Sequence, residues 1–490
     1  MEYIDIPRTL KRYSFEEKMN ILQSYSRKTM NLYGVISKNE NGNLPFPWEL
    51  ETLLLFSVTA QEWRQGRFTS KDRNFVAMIN CIRNHQHPVV DKLKGTNDLV
   101  NELFVALGSV QFEAQEYPYY KLYRYNWYFS FVNSKVNMPA IFQQKLGSDY
   151  KKYAVLAMAL WIILCNHNYT VPQKLYRYIL SQFPVELTHL TITRDEYKNQ
   201  LESITTCIDD YAYCLRPSYT YPFIQEKGIV YLPLPHLLMR SVTSAMLYRI
   251  TQNDNHLANL IGKEVLEPYL YQIILRSGLF DEVYPEQEYI PLGHHGTKSR
   301  TLDVLTRKGN HYIFFDSKMY APRRDLRIFD QDAYKREIDR LATNCKQIYE
   351  HIRHRFPSQY NPFHLQTEIN PDDIYGLVVL REDPRILIDY IYKKTATLLE
   401  IPYESSEYKW LCRHVGIISL ADVEKYCFTH SDLPDHIYGG QSRECLTDFW
   451  LTEAADSGAI QDTELKAFEK DILDDCRRLF KKCAGLGLLN

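Results

Sequence analysis

The spacing of apolar and polar positions gives the chain two textures. From the N-terminus to about residue 215, apolar residues recur at helical intervals. The strongest stretch opens at Phe46-Pro47-Trp48 and runs to Trp63, with Pro47 suited to a first helical turn. Amphipathic segments near 73–83, 150–165, 171–182 and 195–208 predict further helices. Near residue 216 the texture changes. Arg216 to Pro235 is rich in proline and β-formers and predicts a hairpin or linker into a second domain. A helical pattern over 236–276 follows, with a break near Asn253-Asp254-Asn255. Strand signals then cluster at Glu286–Leu292, Arg300–Thr306 and His311–Met319, the last two joined by the turn-forming Arg307-Lys308-Gly309-Asn310. A helix over 330–356 leads to Ile374–Leu380, a continuous apolar strand of the kind covered on both faces. A helix over 385–399, a strand over Val415–Leu420 and a helical ending complete an α/β pattern. The expectation is a multidomain α+β and α/β chain. It has a helical region over 1–215, an α/β domain with a central mixed sheet flanked by helices over 216–430, and a helical C-terminal extension over 431–490.

One hairpin in this pattern carries chemistry. If its two strands close around a two-residue Lys308-Gly309 turn, Thr306 faces His311 and Asp303 faces Phe314. Side chains alternate along strands, so Asp303, Phe314, Asp316 and Lys318 share one face. Asp303 and Asp316 are then diagonal neighbours, with Cα atoms roughly 7–8 Å apart. Two carboxylates at that spacing suit Mg²⁺, which takes oxygen ligands and keeps several waters. A divalent ion there would polarise a phosphate and acidify water, and Lys318 would offset developing negative charge. A one-residue slip would send Asp303 to the opposite face.

A carboxylate two residues before a lysine is common. Glu16-Lys18, Asp149-Lys151, Glu196-Lys198, Glu407-Lys409 and Glu464-Lys466 repeat it, mostly in helical patterns where such residues do not share a face. Only Asp316-Ser317-Lys318 ends a β-branched and aromatic run with an aspartate on the preceding hairpin strand.

Composition sets the limits. The 490 residues are 45% apolar and 24% charged, with a net charge of −2. That is an ordinary globular composition, but not a surface that would grip nucleic acid everywhere, so any such contact must be local. The ten cysteines show no paired spacing and read as reduced thiols. No signal-peptide pattern opens the chain, and the longest apolar run, Ala154–Cys165, at about a dozen residues suits a buried helix better than a membrane span. A cytoplasmic protein is expected. Tyr117–Phe129 interleaves aromatics with Lys121 and Arg124, a composition that could stack bases but is expected to pack a core. His294-His295, His351 and His354 lack companion ligands and read as solvated. No phosphate-binding glycine loop, dinucleotide fingerprint or nucleophile elbow is present.

The segment over roughly 255–425 resembles the PD-(D/E)XK nuclease superfamily, to which many restriction endonucleases belong. The resemblance rests on Asp303, on Asp316-Ser317-Lys318 and on the helical stretch Ile261-Gly262-Lys263-Glu264-Val265-Leu266-Glu267-Pro268-Tyr269. Leu302 stands where many members have proline. The resemblance implies a restriction-endonuclease-like fold and Mg²⁺- or Mn²⁺-dependent cleavage of nucleic acid, DNA ahead of RNA. It implies Glu267 as third carboxylate, with Glu264 in reserve. Gln347, in Cys345-Lys346-Gln347-Ile348-Tyr349, would serve a water or a phosphate, and Val415–Asp422 would be the closing strand and turn. Lys298, Arg300, Arg323, Arg324 and Arg327 flank the hairpin and could form a basic lip for phosphates. The resemblance also implies antiviral defence, with cleavage gated by a protein partner or by homo-oligomerisation through the helical N-terminal region. Two alternatives stand beside this reading, an RNA-cleaving enzyme of the same fold and a non-catalytic binding module.

Overall fold

The computed structural model describes residues 1–30, 44–63, 68, 73–93, 103–105, 108, 117–166, 168–289, 298–321, 326, 330–355, 369–383, 385–438, 444–447 and 459–489. A small sheet joins β1 (Thr191–Thr193), β2 (Phe223–Glu226) and β3 (Ile229–Tyr231). After it come β4 (Glu282–Pro285) and a separate ribbon of β5 (Glu288–Tyr289) with β6 (Ser299–Arg300). Then follow β7 (Val304–Lys308), β8 (His311–Lys318), β9 (Ile374–Leu380) and β10 (Val415–Ser419). The main sheet is mixed and runs in the order β10, β9, β8, β7, β4. Its β8, β9 and β10 are parallel, and β7 and β4 are antiparallel additions at one edge.

Each face of this sheet has its own core. Leu305, Tyr312, Phe314 and Val378 pack with the Gln331–Glu350 and Ile388–Leu398 helices on one side. Ile313, Phe315, Leu377 and Val379 face the other core, which gathers the Pro118–Ser130, Tyr150–Cys165, Glu267–Ser277 and Thr463–Gly485 helices. The alternation is what strand geometry requires when both faces are covered. All seven residues of β9 are buried.

The expected units 1–215, 216–430 and 431–490 do not coincide with these cores. The Arg216–Pro235 stretch does form a hairpin, but β2 pairs in parallel with β1, and one core joins Ile6–Ile82 to Ile192–Leu237. The core under the main sheet likewise takes in residues on both sides of 215 and of 430. The physical reason is that an amphipathic helix must bury its stripe, and these helices bury theirs against the sheet and one another.

The long helical pattern over 236–276 is divided. Asn253 takes a left-handed backbone conformation at φ 63°, and Asp254 caps the next helix by accepting from the Leu257 amide at 2.9 Å. A π-turn, Gly262–Leu266, then joins the Asn255–Ile261 helix to the Glu267–Ser277 helix. Pro268 lacks an amide hydrogen and its ring crowds the carbonyl four residues back, which a widened turn accommodates.

Close packing across the sheet gives a first prediction. A Cβ on Gly376, in β9, would stand 2.1 Å from Ile348 Cγ2 on the Gln331–Glu350 helix. Gly376→Ala is expected to destabilise the chain by about 1–3 kcal/mol through overpacking. The urea midpoint measures it, and an unchanged midpoint would contradict that approach of helix to strand.

Candidate active site

The β7–β8 hairpin places the candidate residues, with one correction to the expected register. The two-residue turn is Gly309-Asn310, so Lys308 faces His311 and Thr306 faces Ile313. Gly309, at φ 61°, takes the first central position, where a hairpin turn of this length favours glycine. Moving the turn by one residue moves each pairing by two, so the face is preserved. The ladder ends with Val304 paired to Phe315, and Asp303 stands at the bend just before β7. Asp316 and Lys318 continue the face of Tyr312 and Phe314.

The geometry around these residues is tight. Asp303 Oδ2 accepts from the Ser317 amide at 2.6 Å and from the Ser317 hydroxyl at 2.7 Å. Asp316 Oδ2 is buried and lies 2.7 Å from Lys318 Nζ as an ion pair. Both aspartates are buried, whereas the Lys318 side chain is 29% exposed and so reaches solvent.

The π-turn sends the two glutamates to different neighbours. Glu264 is engaged elsewhere, with Lys135 Nζ 2.8 Å from one of its oxygens and Asn133 Nδ2 donating to the other at 3.0 Å. Glu267 turns toward the aspartates. Burial, then the charges of Asp303, Glu286 and Asp316, push its carboxyl from the ordinary 4.5 up to about 8, against the pull of Lys263. Asp303 is raised by burial and by Asp316, more than Ser317 and Lys318 lower it. Burial also raises Asp316, against Lys318. Burial opposes the Lys318 ammonium, but Asp316, Asp303 and Glu267 outweigh it and hold its pKa above the usual value. The site is therefore three crowded carboxylates around one firmly protonated lysine.

Other expected residues are placed differently. Gln347 is exposed. Cys345, two residues earlier on the same helix, is fully buried and within electrostatic reach of Asp316. Two helical residues are about 200° apart, so Gln347 points away from the carboxylates. Arg300 is paired with Glu286 at 3.2 Å and Glu288 at 3.1 Å, and Lys298 with Glu288 at 3.1 Å. These cations are thus balanced by the ribbon that carries them. Arg323, Arg324 and Arg327 lie outside the described residues, as do His294 and His295. His351 is buried against Phe314, and burial followed by Arg355 lowers it to about 4, so it is neutral and not solvated as expected. His354 is exposed. Lys121, Arg124 and most rings of Tyr117–Phe129 are buried, in keeping with core packing.

Sequence reasoning missed Lys263 and Glu286 beside Glu267. A charged residue on a turn or ribbon carries no local sign of which face of the sheet it will meet. The five other carboxylate-x-lysine pairs all fall at the N-cap or within the first five residues of a helix.

The donor set suits a hard divalent cation on chemical grounds. All its atoms are carboxylate oxygens, the ligand type that such a cation takes. Among the described residues, no three His, Cys, Asp or Glu side chains already stand in ligating position. Two carboxylates with water and a phosphate oxygen would be the relevant set.

A pH prediction follows from the raised carboxyls. Between the ordinary 4.5 and about 8 the folded Glu267 keeps a proton that the unfolded chain has released. Its contribution to stability is present at acid pH and lost as pH rises through the folded value. In a metal chelator, Glu267→Gln is expected to melt higher than wild type at about pH 8.5 and alike at about pH 4. Equal melting at both would place Glu267 outside the cluster.

No family model, curated protein or solved structure matches this chain, and no helix among the described residues is long and apolar enough to cross a membrane.

Proposed function

We propose that this chain is a metal-dependent phosphodiesterase of the PD-(D/E)XK kind acting on nucleic acid, with DNA the first substrate to test. The observation that carries the reading is the gathering of Asp303, Asp316 and Glu267 around Lys318, with all three carboxyls raised by burial and those of Asp303 and Glu267 also by their neighbours' charge. Such a cluster is costly unless it has a function or a counter-ion. Asp303, Asp316 and Glu267 would hold Mg²⁺ or Mn²⁺, and such an ion supplies Lewis-acid polarisation of a phosphate and a lowered pKa for water. The protein's own residues do the rest. Ser317 fixes Asp303 through two hydrogen bonds, which limits its motion. Lys318, held protonated, serves as a donor to charge building on a phosphate and not as a base. Partial exposure leaves it open to a polyanion at the C-terminal end of β8, the central strand.

Supercoiled plasmid and a structured RNA should be incubated with the full chain in Mg²⁺, in Mn²⁺ and in EDTA. Metal-dependent cutting of one polymer is expected and would identify the substrate. The lack, among the described residues, of three His, Cys, Asp or Glu side chains in ligating position favours a second reading, a binding module without catalysis. Absence of cutting in every metal condition would sink the enzymatic reading and leave that one.

A further inference from the structure

We infer that Cys412 and Cys445 form an oxidisable pair that closes into a disulfide under peroxide and fastens residues 444–447 across the end of β10. The inference is independent of the proposed function and rests on how this short segment is held. The Leu446 amide donates to the Cys412 carbonyl at 2.7 Å, and the Ile417 amide donates to Thr447 Oγ1 at 3.0 Å. Leu446 and Thr447 are buried, and a Cβ on Gly416 would come within 2.6 Å of Thr447 Cγ2. The residue after Cys445 is thus bound to the backbone of Cys412. A disulfide spans Cα atoms about 4.4–6.8 Å apart, and the bond from Leu446 holds the adjacent Cys445 beside Cys412. The two thiols are in hydrogen-bond contact.

Other cysteines turn elsewhere. Cys81, Cys165 and Cys476 donate to the carbonyls of Met1, Ile162 and Val155. Cys207 is exposed beside Asp209. Within the pair the roles differ. The hydrogen bond to Cys445, followed by burial, holds the Cys412 thiol far above its usual range. Cys445 is only half-buried, so it is the sulfur that meets oxidant. Its thiolate attacks the peroxide, the O–O bond breaks, and a sulfenic acid and one water result. Cys412 sulfur then displaces hydroxide from the Cys445 sulfur, forming the S–S bond and a second water as the remaining thiol proton leaves. Two thiols have lost two electrons and two protons, and the peroxide has gained them.

The reduced full-length chain should be treated with a small excess of hydrogen peroxide, alkylated and digested without reductant for mass spectrometry. The expected result is a peptide pair joined through Cys412 and Cys445, with two of the ten thiols lost to alkylation. Dithiothreitol should restore both, and the linkage should be absent from a folded Cys445→Ser variant. Full alkylation of both residues at a dose that oxidises Cys207 would overturn the proposal. So would Cys445 ending as sulfinic acid without a link, or linkage of either residue to another cysteine.

Discussion

Asp316→Asn is expected to lower metal-dependent cleavage by at least about 10³-fold while leaving the chain folded. The change keeps shape and removes the charge that faces both Lys318 and the position a cation would take. A metal's contribution to phosphoryl chemistry is worth several kcal/mol, and each ~1.4 kcal/mol is tenfold in rate. Lys318→Ala should cost on the order of 10²–10³-fold, the usual scale for losing one positioned donor. Stability should move the other way from activity. Asp316 is one of the charges that push Asp303 and Glu267 upward, so Asp316→Asn should melt at or above wild type in chelator at neutral pH. Cleavage measured beside thermal melting checks both halves. Retained activity would mean that the reacting groups lie elsewhere in the chain.

Arg124→Met is expected to be the most destabilising single change. The Arg124 guanidinium grips Glu424 with two bonds, at 2.7 Å and 2.6 Å, and the Tyr269 hydroxyl donates to the same carboxylate at 2.6 Å. Arg124 is 1% exposed and Glu424 fully buried. Removing the cation strands a buried carboxylate, and breaking such a pair costs about 3–5 kcal/mol. Arg124→Met with Glu424→Leu should recover much of the loss, because a packed apolar pair needs no counter-charge. Urea unfolding of the single and double variants measures both. A loss below about 1 kcal/mol for the single change would show that water reaches the pair. Tyr269 lies two residues beyond Glu267 on one helix, so the damage should also reach the carboxylate cluster.

How much of this was legible beforehand depends on whether the information is local. β9 runs over the whole of Ile374–Leu380 as its unbroken apolar run predicts, and the helices at 73–83 and 150–165 match their periodicity. The face shared by Asp316 and Lys318 was readable because they alternate along one strand, whose parity survives an even shift in register. The expected strand Arg300–Thr306 was not so simple. It divides into β6 and β7 at a bend where Thr301 and Gln287 bond each other twice. β4 escaped notice because Glu282-Val283-Tyr284-Pro285 is too short and polar to signal a strand, and it forms by pairing with β7. Gln347 shows the reverse limit. Its sequence neighbourhood fits the resemblance, but helical phase turns it outward, and only the packing of Cys345 reveals that phase. The division of the chain at 215 was inferred from texture, whereas cores are assembled by contacts between residues far apart in sequence.

Glu264 and Glu267 are three residues apart, a spacing that in a plain α-helix would set two acids side by side. The wide turn at Gly262–Leu266 works as a vernier between two helical rulers, each aligned to a different neighbour. Upstream, Glu264 acts as a latch to Lys135 and Asn133. Downstream, Glu267 turns to the aspartates. Two identical side chains thereby do different work without competing for one place, and the offset between them is set by a single irregular turn.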